Sequence, residues 1–255
     1  MFEDLVGKTA IVTGGARGLG YSLATALADQ GVAVGLIDLL DDVHTAAERI
    51  AADFDVATAS VKADVTDAGA VEEAFVSLEK RLGTPDILLT AAGITIWGDS
   101  VNVTPETWSK VISVNLNGTF FSAQSFGRRA LAAGTRGSVI FISSMSGLIV
   151  NVPQFQASYS ASKAAVSHLA RSLAVEWASS DIRVNAIAPG YFLSDMTKQF
   201  TEQNPDLAKT WTESIPLGRM GQPEDLHGLL VFLSSDASSY VTAQTMVIDG
   251  GYTAQ

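Results

Sequence analysis

The stretch Thr9-Ala10-Ile11-Val12-Thr13-Gly14-Gly15-Ala16-Arg17-Gly18-Leu19-Gly20 decides the fold. Thr9 to Val12 is a short apolar run of strand type; it breaks at the glycine-rich loop, and from Leu19 to Ala28 the apolar spacing turns helical. Strand, loop and helix in that order form a unit that can hold a phosphate. Backbone N–H groups of the loop and the positive N-terminal end of the helix face the anion, and glycine lets the backbone come close. Glycines also serve ordinary turns, so it is the flanking strand and helix that point to a cradle. Gly14, Gly18 and Gly20, with Arg17 and Leu19 among them, are candidate cofactor-binding residues.

Outward from this unit the pattern repeats. The run Val32-Ala33-Val34-Gly35-Leu36-Ile37 ends at Asp38 and is followed by a helical stretch to about Phe54. A strand at Ala57 to Val61, a helix at Ala68 to Leu82 and a strand at Ile87 to Leu89 come next. A long helix is expected from about Pro105 to Ala132, entered through Thr104 as N-cap with Pro105 at the first helical position. Then follow a strand at Ser138 to Ile142, a helix at Tyr159 to Ala178 and a strand at Arg183 to Ile187. Pro223 opens a helix to about Leu233, and Thr245 to Asp249 is a last strand. Apolar strands alternating with amphipathic helices mean a parallel sheet covered on both faces. The expected fold is therefore α/β, a doubly wound parallel sheet of Rossmann type in one domain over residues 1–255. Its ligand belongs beyond the carboxyl ends of the strands, where the polar and aromatic insertion at about 191–216 can act as a small helical substrate lid.

Asp38 lies roughly twenty residues after the loop, where a carboxylate can accept hydrogen bonds from the adenosine ribose hydroxyls. It would repel a 2′-phosphate and so favours NAD over NADP. Arg17, a cation beside the loop, could instead hold that phosphate. Asp38 is weighed above it because Leu39 and Leu40 supply no second basic residue.

Tyr159-Ser160-Ala161-Ser162-Lys163 carries the chemistry. At i and i+4 on a helix, Tyr159 and Lys163 share one face, about 5–6 Å apart at Cβ. An ordinary tyrosine titrates near pH ~10, too high for a base at neutral pH. A neighbouring cation favours the phenolate, and an oxidised nicotinamide ring would add a second positive charge. Such a base is what hydride transfer from an alcohol requires.

Composition narrows the remainder. With 255 residues, 47% of them hydrophobic, the chain can fill a large core. A net charge of −11 argues against nucleic acid or an anionic membrane as partner. No cysteine is present, so disulfides and thiolate chemistry are excluded. The acidic start Met1-Phe2-Glu3-Asp4 leads straight into a strand pattern, and no apolar stretch is long enough to span a bilayer, so a cytoplasmic protein is expected. His44, His168 and His227 lack paired ligand spacing, and no metal is expected.

The arrangement resembles the short-chain dehydrogenase/reductase family over nearly the whole chain. The loop matches that family's Thr-Gly-x-x-x-Gly-x-Gly, and Tyr159 and Lys163 match its Tyr-x-x-x-Lys. Asp64-Val65, Pro189-Gly190 and Asp249-Gly250-Gly251 fall at familiar positions. By this resemblance Asn115 supports a proton-relay water near Lys163. The active-site serine of Ser-x-x-Gly falls on Ser144 in Ser144-Met145-Ser146-Gly147; counting back from Tyr159 by the shorter family spacing gives Ser146, and Ser144 is chosen because it directly ends the strand. Where the family usually has Asn-Asn-Ala-Gly, this chain has Thr90-Ala91-Ala92-Gly93, so Ala91, Ala92 and Gly93 would line the adenosine by backbone alone. After Pro189-Gly190, Phe192 and Ser194 stand where relatives have an aliphatic residue and a threonine near the nicotinamide amide.

The resemblance implies NAD-dependent oxidation of a secondary alcohol, with Tyr159 as base, Ser144 bonding the substrate oxygen, and Lys163 holding the nicotinamide ribose. The run from Ser144 to Asn151 looks like that of members acting on sugar alcohols, and Ser146, Asn151 and Gln154 are candidates for extra substrate hydroxyls. The alternatives are an NADPH-dependent carbonyl or β-ketoacyl reductase and a non-enzymatic NAD(H) sensor. Relatives commonly form homotetramers, so one is expected here.

Overall fold

The structure, a computed structural model, describes residues 2–193 and 201–255. Strand β1 (Thr9–Thr13) leads through the glycine loop into α1 (Gly18–Ala28), and β2 (Ala33–Asp38), α2 (Asp42–Phe54), β3 (Thr58–Lys62), α3 (Ala68–Leu82) and β4 (Ile87–Thr90) complete the first half. The second half holds α4 (Pro105–Ile112), α5 (Gly118–Ala133), β5 (Gly137–Ile142), α6 (Ala157–Trp177), β6 (Ile182–Pro189), α7 (Pro205–Glu213), α8 (His227–Ser234) and β7 (Thr245–Ile248). All strands are parallel in the order β3-β2-β1-β4-β5-β6-β7. This is the Rossmann-type sheet expected from the alternation, and its strand order reverses between β1 and β4.

The period of two along each strand divides the core. Ala10 and Val12, Ile87 and Leu89, and Ile140 and Ile142 face one layer, under α1, α2 and α8. Ile11, Leu88, Val139 and Phe141 face the other, under α3, α5 and α6. Apolar side chains are thus removed from water on both faces, at about 25 cal/mol per Å² of apolar area. A third cluster of Met145, Tyr191, Trp211, Ile215 and Met220 lies apart and joins the insertion to the turn after β5.

Element ends follow local chemistry. The Asp67 carboxylate accepts from the backbone N–H groups of Gly69 and Ala70 to cap α3, and Gly83 closes it with φ 90°. The Thr104 hydroxyl accepts from Thr107 N ahead of Pro105, as expected. The long helix expected from Pro105 to Ala132 is instead two helices joined by a π-helical turn at Ser113–Asn117. That turn places Asn115, fully buried, against the loop after β4. No helix among the described residues is long and apolar enough to cross a membrane.

Candidate active site

Gly14 N donates to Ile37 O at 2.8 Å, and Ala91 N donates to Thr13 O at 2.9 Å, so the loops after β1 and β4 lie side by side at the reversal of strand order. A side chain at Gly20 would collide with the Gly14 carbonyl oxygen, so only glycine lets α1 start this close to the loop. α1 has no side-chain cap and no acidic residue in its first turn, and space is open beside Gly18. A helix N-terminus without a side-chain cap or an acidic first turn fits a pyrophosphate. Asp38 Oδ2 accepts from Ala16 N and Oδ1 from Leu40 N, each at 3.0 Å, which fixes the carboxylate beside the loop. Arg17 stands exposed at the N-cap of α1.

The flanking residues divide. Leu19 is half-buried and packs on the core. Asp64 is exposed and its Oδ1 accepts from both Thr66 N and Thr66 Oγ1 at 2.8 Å, while Val65 is buried in the core. Ala92 lies against Gly14, and Gly190 is fixed by its N–H bond to Ile248 O at the end of β6, directly after Pro189. Phe192 is buried in the core with its ring against Gly221, to which it is also joined by a β-bridge. Ser194 lies outside the described residues. Thr90, which replaces a family asparagine, carries a buried hydroxyl with no partner among the described residues.

Past β5 the chain turns sharply at Met145–Gly147 against α6. A Cβ at Gly147 would lie 2.7 Å from Lys163 C and Ala164 N, so the glycine of Ser-x-x-Gly is what lets this turn approach the helix. Ser144 Oγ accepts from Ser146 N at 3.1 Å, and its hydroxyl bonds the Tyr159 phenol. One helical turn on, Lys163 is buried, donates to Ile142 O at 2.7 Å, and holds Nζ 5.7 Å from the Tyr159 ring centroid. Burial pushes the phenol above its ordinary value, against the pull of the Ser144 hydrogen bond. Burial also pushes the ammonium down, to about 8. The sequence alone led to the opposite expectation for Tyr159, because desolvation was not visible in it.

Asn115 Oδ1 accepts from Ile94 N at 2.8 Å, and its Nδ2 donates to Ile94 O at 3.0 Å and to Ser162 Oγ at 2.9 Å. A Cβ on Gly93 would lie 3.3 Å from Asn115 Oδ1 and 3.5 Å from Lys163 Nζ, so the three meet at one point. Ser146 is buried and its hydroxyl accepts from Gln156 Nε2 at 3.3 Å. Gln154 Nε2 donates to Tyr191 OH at 2.7 Å and its Oε1 accepts from Trp211 Nε1 at 3.3 Å, so both ends of that amide are engaged. Asn151 Nδ2 donates to Tyr191 OH at 3.2 Å, but its buried Oδ1 has no partner among the described residues. Tyr191 stacks on Trp211 at 4.4 Å between centroids, a pairing across the insertion that no sequence spacing announces. Outside it, Trp97 to Asp99 and Pro153 to Phe155 line a cleft of about 310 Å³.

Buried Lys163 gives a pH-dependent stability of known sign. The unfolded chain keeps this proton to about 10.5 and the folded, cofactor-free chain only to about 8, so the unfolded state binds more protons between those values and stability rises with pH there. Tyr159, held above its ordinary 10.0, acts oppositely only beyond that value. Chemical denaturation of the cofactor-free protein from pH 8 to 10 is expected to show the rise, and Lys163→Met to flatten it; an equal slope in the variant would contradict the assignment.

Comparison with known proteins agrees with this geometry. A family model described as enoyl-(acyl carrier protein) reductase matches residues 14–253. The chain is 42% identical over 250 residues to a galactitol 2-dehydrogenase (L-tagatose-forming) of Cereibacter sphaeroides, covering 98% of this chain and 96% of the relative. It is 39% identical over 252 residues to a probable NADP-dependent mannitol dehydrogenase of Yarrowia lipolytica, covering 98% and 88%. A crystal structure of a short-chain type dehydrogenase/reductase from Mycobacterium marinum superposes with a TM-score of 0.93 at 37% identity, covering 100% of this chain and 98% of that one.

Proposed function

Because this chain belongs to the short-chain dehydrogenase/reductase family, we propose that it oxidises a secondary hydroxyl of a polyol or vicinal diol reversibly to the ketone, with NAD as cofactor. NAD, when bound, supplies the hydride acceptor. The glycine loop and the start of α1 hold its pyrophosphate, Asp38 its adenosine ribose, and Lys163 its nicotinamide ribose. Asp64, Val65, Ala91, Ala92, Gly93, Pro189, Gly190, Phe192 and Ser194 border it. Tyr159 takes the proton of the substrate hydroxyl and returns it in the reverse direction. Ser144 donates to the same substrate oxygen, and Asn115 holds the loop after β4 in register with α6 beside the relay.

The observation that carries the polyol reading is the buried Asn151 Oδ1, which has no partner among the described residues, on the segment between Ser144 and Tyr159. An unpaired buried acceptor costs free energy that a second substrate hydroxyl would recover. Tyr191 and Trp211, described residues of the insertion read as a lid, stand behind it; residues 194–200 of that insertion lie outside the described residues. Relatives named for galactitol and mannitol support the same class of substrate. Exposed Arg17 favours a second reading, an NADPH-dependent carbonyl reductase.

The test is absorbance at 340 nm with polyols, vicinal diols and simple secondary alcohols against NAD and NADP, and the matching ketones against NADH and NADPH. NAD-linked turnover concentrated in polyols supports the proposal. Turnover confined to NADPH and bulky ketones overturns it in favour of the second reading. We infer further a cytoplasmic homotetramer, joined through α5, α6 and the edge strand β7; exposed Phe120, Leu131, Val175 and Val247 lie on those elements. A monomer by light scattering at micromolar concentration would remove it.

A further inference from the structure

Gln156 occupies the N-cap position of α6, yet its side chain makes no cap to that helix. It reaches sideways instead. Its Nε2 donates to Ser146 Oγ at 3.3 Å, and its Oε1 accepts from Thr95 Oγ1 at 3.1 Å. The residue is only 9% exposed, so these two hydroxyls are what satisfy an amide that water does not reach. Ser146 in turn donates its backbone N–H to Ser144 Oγ at 3.1 Å, and Ser144 bonds the Tyr159 phenol. A continuous line of hydrogen bonds therefore runs from the loop after β4, through Gln156 and the turn after β5, to the phenol.

The direction of these bonds matters. A serine hydroxyl has one proton and two acceptor lone pairs. With one lone pair of Ser144 Oγ taken by the Ser146 N–H, its proton and second lone pair are left for the phenol, or for a substrate oxygen placed there. The aim of that proton depends on where the Met145–Gly147 turn sits, and the turn is held by the close approach of Gly147 to the backbone of α6, by Met145 packed among Tyr191, Trp211 and Met220, and by the Gln156 amide.

We propose that Gln156 is a positioning residue for the dehydrogenation, holding Ser146 so that Ser144 aims at the reacting oxygen and tying that turn through Thr95 to the loop beside the cofactor. The proposal rests on the reading that Ser144 and Tyr159 carry out alcohol oxidation. Misplacement of a reacting group by about 1 Å costs up to 10²-fold in rate, and loss of the one side-chain hydrogen bond that Gln156 gives the turn is expected to cost about 10-fold.

The experiment is a cycle of Gln156→Leu, Ser146→Ala and the double variant, with wild type and Tyr159→Phe as controls. It reads kcat and KM at 340 nm, NADH affinity by fluorescence and the thermal midpoint. Each single variant is expected to lose kcat about 10-fold with NADH affinity unchanged, and the double variant to lose no more than either, because both cut the same line. Multiplicative losses, or kcat within twofold of wild type for either single variant, overturn the proposal. If Gln156→Leu does not fold, Thr95→Val takes its place in the same cycle and the same outcomes decide. Wild-type turnover abolished by Tyr159→Phe establishes the underlying reading, so a silent Gln156 variant in that setting sinks this proposal alone; no turnover in wild type sinks the reading.

Discussion

Tyr159→Phe is expected to lower kcat in both directions by about 10²–10⁴-fold, the usual worth of a positioned general acid or base. The substitution deletes one oxygen and leaves the ring, so the packing beneath Lys163 Nζ and the bond from Lys163 to Ile142 O persist. NADH affinity and the thermal midpoint should change little. The direction of the wild-type pH dependence follows from the same site. Burial holds the phenol protonated at neutral pH, ready to give its proton to the oxygen of a ketone being reduced. Oxidation needs the phenolate, so its rate should climb with pH while reduction is already fast near neutrality. Steady-state kinetics of wild type and variant from pH 6 to 10 would show both effects. A variant that keeps a tenth or more of wild-type activity with an intact fold would remove Tyr159 from the chemistry.

The sheet and its helices were legible because burial on both faces makes the strands continuous apolar runs between amphipathic helices, and the helix read at Ala68 to Leu82 is α3 to its last residue, where the structure shows Asp67 capping its start and Gly83 following its end. The break at Ser113–Asn117 was not legible, since a π-turn interrupts the helix without interrupting its apolar face. Tyr159 and Lys163 stand out as candidates by their spacing, and Ser144 by the Ser-x-x-Gly pattern after the strand. Their environment does not: the depressed ammonium and the raised phenol come from burial by residues distant in sequence. Tyr191 meets Asn151 and Gln154 across 40 and 37 positions, and Trp211 meets Gln154 across 57, so the wall of the proposed substrate site exists only once the chain has folded. Gln156 carries no signal in the sequence, because only the structure shows that it precedes α6 and that its amide turns away from the helix.

The choice between dinucleotides reduces to one carboxylate against one guanidinium, and it predicts a large reversal. Asp38 is fixed beside the loop by the Ala16 and Leu40 N–H groups, so it cannot swing away from a 2′-phosphate without giving up both bonds. A like charge forced this close costs several kcal/mol, and every 1.4 kcal/mol is tenfold in binding. Asp38→Asn with Leu39→Arg removes the repulsion and adds a cation at the exposed position directly after β2. The ratio of kcat/KM for NADP over NAD is expected to rise by about 10²–10³-fold. The asparagine keeps one acceptor for the backbone, so the thermal midpoint should fall only modestly. If wild type already prefers NADP, and the double variant leaves that preference where it was, then the phosphate is held at Arg17 and clear of Asp38. Arg17→Ala should in that case weaken NADP alone. If Asp38 governs, Arg17→Ala should leave NAD turnover nearly intact, and the two variants together assign the adenosine end of the site to one residue or the other.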